Sequence, residues 1–374
     1  MITPLLKSEA LESLLLLLAT LVALIWANSP WAGGYTQLWQ SQLSVASLSE
    51  PLHFWVNEAL MAVFFLTVGL EIRTEFLEGD LRSLRMAALP LAAALGGVVL
   101  PALIYLALNP DPLVRRGWAI PTATDIAFAI AVFTFLGRRA PPALRALLLA
   151  IAVIDDIVAI LVIAFFYAAG IEVGGLGISA AGVVGALLLR HIHSRWAALY
   201  VLPSLAIWVG FLHAGVHPAL TGVIVGLLLP RQPARWVGQK IGPWVVFGIM
   251  PLFALANAGV TIHALTLDVP VTVRLAGGII VALLVGKPVG IILTAALGVK
   301  LGWCELPRGI DLRRFAVIGC LGGIGFTMSL FVSNLAFSDG YQATAKLAVL
   351  LGSTLAAVTA LVIGPAILRR AASP

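Results

Sequence analysis

Two carboxylates stand side by side in a strongly apolar stretch, Ala150-Ile-Ala-Val-Ile-Asp-Asp-Ile-Val-Ala159. Asp125 and Lys287 occupy similar surroundings. Each charge buried at mid-membrane costs about 2.5–3.5 kcal/mol, so four cost on the order of 10 kcal/mol. A purely structural pairing of Lys287 with one aspartate leaves two carboxylates without a cationic partner. Neighbours on a helix point about 100° apart, so Asp155 and Asp156 cannot both face one group. One can face Lys287 while the other faces an ion cavity. The two should titrate as a coupled unit. A carboxylate in such a place can hold either H⁺ or a hard cation such as Na⁺. Competition for one site then couples the two movements if access alternates. Oxygen ligands suit Na⁺, and the Thr124 hydroxyl and free carbonyls near Thr122 are expected to complete its shell.

The elements that must carry these charges follow from composition. The chain has 374 residues, of which 61% are hydrophobic and only 11% charged, with mean hydropathy +1.05. Soluble domains average about 25% charged residues, so the excess apolar surface here must face lipid. The net charge of +6 is spread over short gaps between apolar runs. No basic patch suits nucleic acid, and the pattern is that of loops at a membrane surface. Cys304 and Cys320 show no CxxC or Cys/His spacing, which argues against a zinc site or disulfide framework. The first apolar run resembles a signal peptide, but it continues through Ile25 and Trp26 and reads as the first span.

A span needs about 20 apolar residues. That rule yields about 12 spans, at roughly 11–29, 55–72, 86–108, 118–137, 143–169, 175–190, 197–212, 215–230, 243–262, 272–299, 312–337 and 343–368. His213, His217 and Pro218 interrupt the seventh and eighth. Alternate gaps carry the basic residues, including Arg82 and Arg85, Arg138 and Arg139, Arg190 and Arg195, Arg231 and Arg235, Arg308 and Arg313. The opposite gaps hold little beyond Arg115 and Arg116, with Arg274 and Lys346 at helix starts. Positive charge marks the cytoplasm, so both termini are expected inside. In the long first outer gap, Gly33-Gly34 and the alternation Leu43-Ser44-Val45 suggest a short hairpin. The plainer reading is an interfacial loop anchored by Trp31 and Trp39.

Two spans carry breaks. Pro121 interrupts the fourth just before Asp125, removing a backbone donor and disfavouring helix at the residue before it. Gly322, Gly323 and Gly325 weaken the eleventh. Glycines also permit close helix packing. Paired broken helices in corresponding places point to a transporter site. Spans three to five and ten to twelve each have the broken member in the middle and start on opposite sides, which makes an inverted-topology repeat.

Six segments carry a family resemblance: Ala59-Leu-Met-Ala-Val-Phe-Phe-Leu-Thr-Val-Gly-Leu-Glu71, Ala123-Thr-Asp-Ile-Ala-Phe-Ala129, Ile154-Asp-Asp-Ile157, Pro251-Leu-Phe-Ala-Leu-Ala-Asn-Ala-Gly259, Gly286-Lys-Pro288 and Gly322-Gly-Ile-Gly-Phe-Thr-Met-Ser329. Over nearly its whole length the chain resembles the bacterial NhaA-type Na⁺/H⁺ antiporters, a standard case of inverted repeats and broken helices. The resemblance implies an all-α integral membrane protein of about 12 transmembrane helices with two broken, crossing helices. It implies electrogenic export of Na⁺ or Li⁺ against a larger number of external protons, and no enzymatic activity or cofactor. Asp155 and Asp156 look like the ion- and proton-binding pair, with Thr124 and Asp125 beside them. Lys287 resembles a lysine that pairs with the residue at Asp155 and balances negative helix ends, as Asp125 balances positive ones.

Glu71, Glu75 and Glu58 match or neighbour acidic positions of the family and could form a cation funnel, although Glu71 and Glu75 also read as a solvated helix end. His217 matches a histidine linked to pH response, with a structural role beside the break as the alternative. Residues Pro230 to Gly242 lack the acidic residues and histidine of the well-known member, which puts the usual pH sensing in question. The implied setting is the bacterial inner membrane, as a multi-pass homodimer in lipid without nucleic acid or protein substrate.

The expected organisation is one unit over 1–374. Roughly 86–169 and 272–368 form the transport core. A hairpin at roughly 29–54 makes the dimer contact, and roughly 11–28, 55–85 and 175–262 are interface and supporting helices. An intramembrane aspartyl protease would need facing aspartates from separate helices, one in a Gly-x-Gly-Asp motif, which this chain lacks, and adjacent Asp155 and Asp156 cannot face each other across a scissile bond. A Na⁺-coupled solute carrier would need a further mid-depth cationic or aromatic cluster.

Overall fold

The computed structural model describes residues 4–46, 48–137, 141–168, 170, 172–192, 196–262, 269–307, 309–337 and 340–370. Arg138, Arg139, Arg195 and Arg308, used above for orientation, lie outside the described residues. In chain order the helices are α1 (Pro4–Ala27) and α2 (Ala32–Gln40), then α3 (Leu52–Glu78) after a strand pair. They continue with α4 (Leu84–Leu108), α5 (Pro112–Thr122) and α6 (Ile126–Phe135). Next come α7 (Pro142–Phe166) and α8 (Val173–His191), α9 (Ala197–Ala214), α10 (Pro218–Leu228), α11 (Arg231–Asn257) and α12 (Pro270–Lys300). The last are α13 (Leu312–Gly322), α14 (Phe326–Ala336) and α15 (Tyr341–Arg370). Eight are long and apolar enough to cross a membrane alone, eleven if each bent pair counts as one, and α10 is a shorter apolar helix. Each expected span thus has a helix or a bent pair. The eighth is shortened because Gly215 takes a left-handed conformation (φ 72°) and ends α9, after which Pro218 opens α10.

Contacts divide the chain into two compact units. The first comprises Met1–Leu17, Glu78–Ala159 and Val260–Pro374. It contains the sets α4, α5–α6, α7 (as far as Ala159) and α12, α13–α14, α15, each with its broken helix in the middle. The bends are 50° between α5 and α6 and 47° between α13 and α14. Short polar caps start several of these helices: Ser83 accepts from the Met86 amide, Asp111 from Leu113 and Asp311 from Arg314. Leu144, Leu148, Ile151, Phe315, Ile318 and Leu321 form the centre of its apolar core. Helices α4 and α12 meet backbone to backbone through Gly96 and Gly290, where a Cβ on either would collide with the other's carbonyl oxygen. Small residues at such crossings substitute close van der Waals contact for the hydrophobic drive that lipid removes.

The second unit comprises Leu18–Leu77 and Ile160–Gly259. Strands β1 (Gln42–Val45) and β2 (Leu48–Pro51) pair antiparallel, with Leu43 opposite Glu50. The outer gap therefore holds a hairpin, but Gly33 and Gly34 belong to α2 rather than to its turn. The Tyr35 hydroxyl pins α2 by donating to the carbonyls of Leu255 (2.8 Å) and Ala256 (3.1 Å). Trp39, expected as an interfacial anchor, is buried beside Tyr35, whereas Trp31 is exposed. Lys346, expected at a helix start, lies in the first turns of α15 and is buried.

Replacing Gly290 by Ala forces a backbone collision and should cost about 1–3 kcal/mol. Gly277→Ala, where a Cβ meets nothing within 4 Å, should be neutral or stabilising by up to about 1 kcal/mol. Thermal unfolding of the detergent-purified variants measures both, and equal midpoints would contradict the close crossing.

Candidate functional site

The site grows from the two breaks, residues 123–125 and 323–325, where the backbone leaves the helical path. Pro121 lies in the last turn of α5, so the break falls two residues beyond it. The loose segments touch: the Asp125 amide donates to the Ile324 carbonyl at 2.7 Å. A Cβ on Gly325 would press on the Ser329 hydroxyl and lie 3.1 Å from the Ala123 carbonyl oxygen, so this crossing needs glycine.

Helix ends that meet inside a membrane carry orphan groups and partial charge. Asp125 answers two of these ends. Its Oδ1 accepts from the Phe128 amide (3.0 Å), capping α6. Its Oδ2 accepts from the amide (3.0 Å) and hydroxyl (2.5 Å) of Thr327, at the start of α14. Ser353 of α15 accepts from the Phe326 amide at 3.1 Å, and Ser329 donates to the Ile120 carbonyl at 2.6 Å. Thr327, Ser329 and Ser353 had no assigned role in the sequence. The available signal was the pair of hydroxyl residues directly after the Gly-Gly-Ile-Gly break.

Lys287 follows a π-helical turn, Ala282–Gly286, a distortion common at functional sites. Its side chain is wholly buried and its Nζ lies 3.0 Å from Asp155 Oδ2. Nζ also donates to the Thr122 carbonyl at 2.5 Å, at the C-terminal end of α5. The carbonyl expected to be free for a cation is therefore taken by an ammonium. Thr124 Oγ1 donates to Asp155 Oδ2 at 2.6 Å and has the Gly322 carbonyl at 3.1 Å. Asp155 Oδ1 is buried and has no hydrogen bond among the described residues. Asp156 is 3% exposed and lies in electrostatic range of Lys287. The unit thus brings together Asp155, Asp156, Asp125, Thr124 and Lys287 with the broken-helix residues Pro121, Gly322, Gly323 and Gly325. A small cation entering here would meet two carboxylates, and Asp155 Oδ1 already offers an oxygen without a hydrogen bond.

The acidic candidates outside this cluster belong to the second unit. Glu71 is exposed, with half-buried Glu75 one turn later. Glu58 faces inward within its unit: Oε1 lies 3.5 Å from His217 Nδ1, and Oε2 accepts from the Ala219 amide at 3.4 Å. His217 Nε2 lies 3.1 Å from the Tyr167 carbonyl.

Replacing Lys287 by Met would strand the buried Asp155 carboxylate, and losing one partner of such a pair costs about 3–5 kcal/mol. Adding Asp155→Asn should recover much of that loss. Thermal unfolding of the two single variants and the double variant tests the coupling; strictly additive losses would contradict it.

Residues 3–363 match the family described as Na⁺/H⁺ antiporter 1. The chain is 46% identical to "Na(+)/H(+) antiporter NhaA 2" of Sorangium cellulosum, covering 97% of this chain and 89% of that protein. It is 49% identical to "Na(+)/H(+) antiporter NhaA" of Acidovorax sp., over 97% of this chain and 91% of the relative. It is 43% identical to the protein of the same name from Janthinobacterium sp., over 95% and 90%. The match covers both units and every segment of the buried cluster, and the chain therefore belongs to the Na⁺/H⁺ antiporter 1 family, multi-pass membrane transporters rather than enzymes.

Proposed function

We propose that the buried cluster exchanges Na⁺ or Li⁺ for H⁺ by letting them compete for Asp155 and Asp156, with access alternating between the two faces of the membrane. The observation that carries this is charge imbalance: two adjacent buried carboxylates share one buried lysine. A state without cargo leaves negative charge in a low-dielectric site, so a proton or a metal cation must be present. Protons and Na⁺ satisfy the same oxygens and exclude one another. Asp125 serves the helix ends and keeps the crossing in place. Lys287 supports Asp155 in its charged state and gives way as Na⁺ enters.

Export of Na⁺ against a larger number of protons makes the cycle electrogenic. Residues 86–169 and 272–368 act as the transport core. Residues 11–28, 55–85 and 175–262 support it and, with the hairpin region 29–54, make a homodimer contact. The protein works in a bacterial inner membrane with both termini in the cytoplasm. Glu71, Glu75 and Glu58 raise the local cation concentration, and His217 contributes to pH response.

The test uses proteoliposomes containing a pH-sensitive dye and an imposed proton gradient. NaCl or LiCl should dissipate the gradient, KCl should not, and an imposed membrane potential should change the rate. Asp156→Asn should abolish the Na⁺ response; an unchanged response would overturn the assignment.

A further inference from the structure

Directly after β2, the second unit holds a closed ring of three hydrogen-bonded side chains. Asn257 Nδ2 donates to the Phe253 carbonyl at 3.0 Å, which fixes the orientation of that amide. Asn257 Nδ2 also donates to Asn57 Oδ1 at 2.8 Å, which fixes the second amide. Asn257 Oδ1 therefore faces His53 Nε2 at 3.1 Å as an acceptor. Asn57 Nδ2 lies 3.1 Å from both ring nitrogens; with Nε2 donating to Asn257 Oδ1, only Nδ1 is left to accept from it. The imidazole is thus asked to donate from Nε2 and to accept at Nδ1, which only the neutral ring can do.

Protonation cannot be absorbed by flipping amides. An imidazolium donates from both nitrogens, so both asparagines would have to present oxygen to it. Asn257 already does; turning Asn57 would set its NH₂ group against that of Asn257, which stays on the Phe253 carbonyl. Asn57 and Asn257 are 7% and 1% exposed, so water cannot readily replace a lost partner. The contrast with His217 is chemical. Its two ring nitrogens face the Glu58 carboxylate and the Tyr167 carbonyl, both acceptors, so its surroundings tolerate the charged ring.

We propose that His53 is a regulatory proton site, distinct from the transport carboxylates, and that protonation opens its ring with Asn57 and Asn257. The ring ties the first turns of α3 to the end of α11. His53 also lies two residues past the last residue of the hairpin, Pro51, and the Leu52 amide donates to the Ser41 carbonyl at 2.9 Å. Opening the ring removes one of the ties between the base of the hairpin and α11 and leaves the Tyr35 bonds of α2 as the other. Acid on the hairpin's side of the membrane therefore loosens that region.

Other titratable groups around His53 among the described residues are already engaged or lie on neighbouring elements. Glu58, on the same π-helical turn as Asn57, is directed to His217 and the Ala219 amide. On α2, the Tyr35 hydroxyl is held by Leu255 and Ala256. On β2, Glu50 stands in register with Leu43.

The effect on transport rests on the proposed antiport, so the primary test does not use transport. Hydrogen exchange of the full-length protein in nanodiscs is followed for residues 48–60 and 250–259 between pH 5.5 and 8. After correction for intrinsic rates, exchange in wild type should rise at least about fivefold on acidification, the effect of losing roughly one net hydrogen bond. His53→Gln keeps a donor and an acceptor without titrating, so its exchange should stay low and flat. His53→Leu breaks the ring at every pH and should exchange fast throughout. Flat exchange in wild type, or an unaltered pH dependence in both variants, would overturn the proton site. Dye-based antiport is then compared between wild type and His53→Gln over the same pH range, and the rate should change less with pH in His53→Gln. Absent transport with intact pH-dependent exchange would count against the antiport and leave the proton site standing.

Discussion

A helix broken inside hydrocarbon exposes amide and carbonyl groups that lipid cannot satisfy. Here two helices break at 123–125 and 323–325 and meet, so four helix ends converge. Two ends present amides, and Asp125 accepts from both. At the carbonyl ends, Lys287 donates to Thr122 and the Thr124 hydroxyl lies against the Gly322 carbonyl. The buried charges therefore cannot be understood apart from the broken backbone. Without Asp125 the amide ends would repel each other, and without Lys287 the α5 carbonyl end would stand unsatisfied beside a carboxylate. Ser353 and Ser329 complete the same accounting from neighbouring backbone positions.

A charge tally then isolates what is left over. Each helix end carries roughly half an elementary charge. The two amide ends offset Asp125, and the two carbonyl ends offset Lys287. Asp155 and Asp156 remain, roughly two negative charges in a buried place. Lys287 cannot fully serve both the carbonyls and Asp155, although its Nζ touches each. A surplus of about two is met by two protons or partly by one Na⁺. This unequal match supports exchange that moves net charge.

Much of this was legible because hydrocarbon enforces simple rules. Its thickness sets run length, so the spans could be counted. A charge in an apolar run is costly, so Asp125, Asp155, Asp156 and Lys287 stood out before any geometry. The breaks were visible because proline and glycine have local backbone consequences. The hydroxyl residues were not legible as site members. Serine and threonine in membrane helices commonly bond to their own helix, as Thr134 does to Ile130 and Thr354 to Leu350. Nothing local separates those from Ser353, whose partner is 27 residues away, and Thr327, whose partner is 202 away, had only its place after the glycine break to mark it. Helix α2 was misread for the same reason. Gly33 and Gly34 weaken it locally, and the Tyr35 bonds that hold it lie 220 and 221 residues away. Lys346 was legible as standing at a helix start, but its burial was not, because the loop-charge rule counts position along the chain only.

In the exchange proposed for this cluster, the pairing of Lys287 with Asp155 makes binding reversible rather than a trap. A carboxylate without a cationic neighbour in this cluster would hold its cation until a proton arrived to compensate the charge. An ammonium at 3.0 Å supplies that compensation in advance. Na⁺ entering at the Asp155 oxygens must displace part of the Lys287 interaction, so net binding is the difference between two similar terms. The cost of burying both charges is the same before and after and drops out of that difference. Asp155 can approach the incoming ion through Oδ1 while Oδ2 still holds the lysine and Thr124. The handover can then proceed without a step in which the carboxylate stands alone. Weak net binding at a costly site is what alternating access needs, since the same oxygens must accept a cation on one face and yield it on the other.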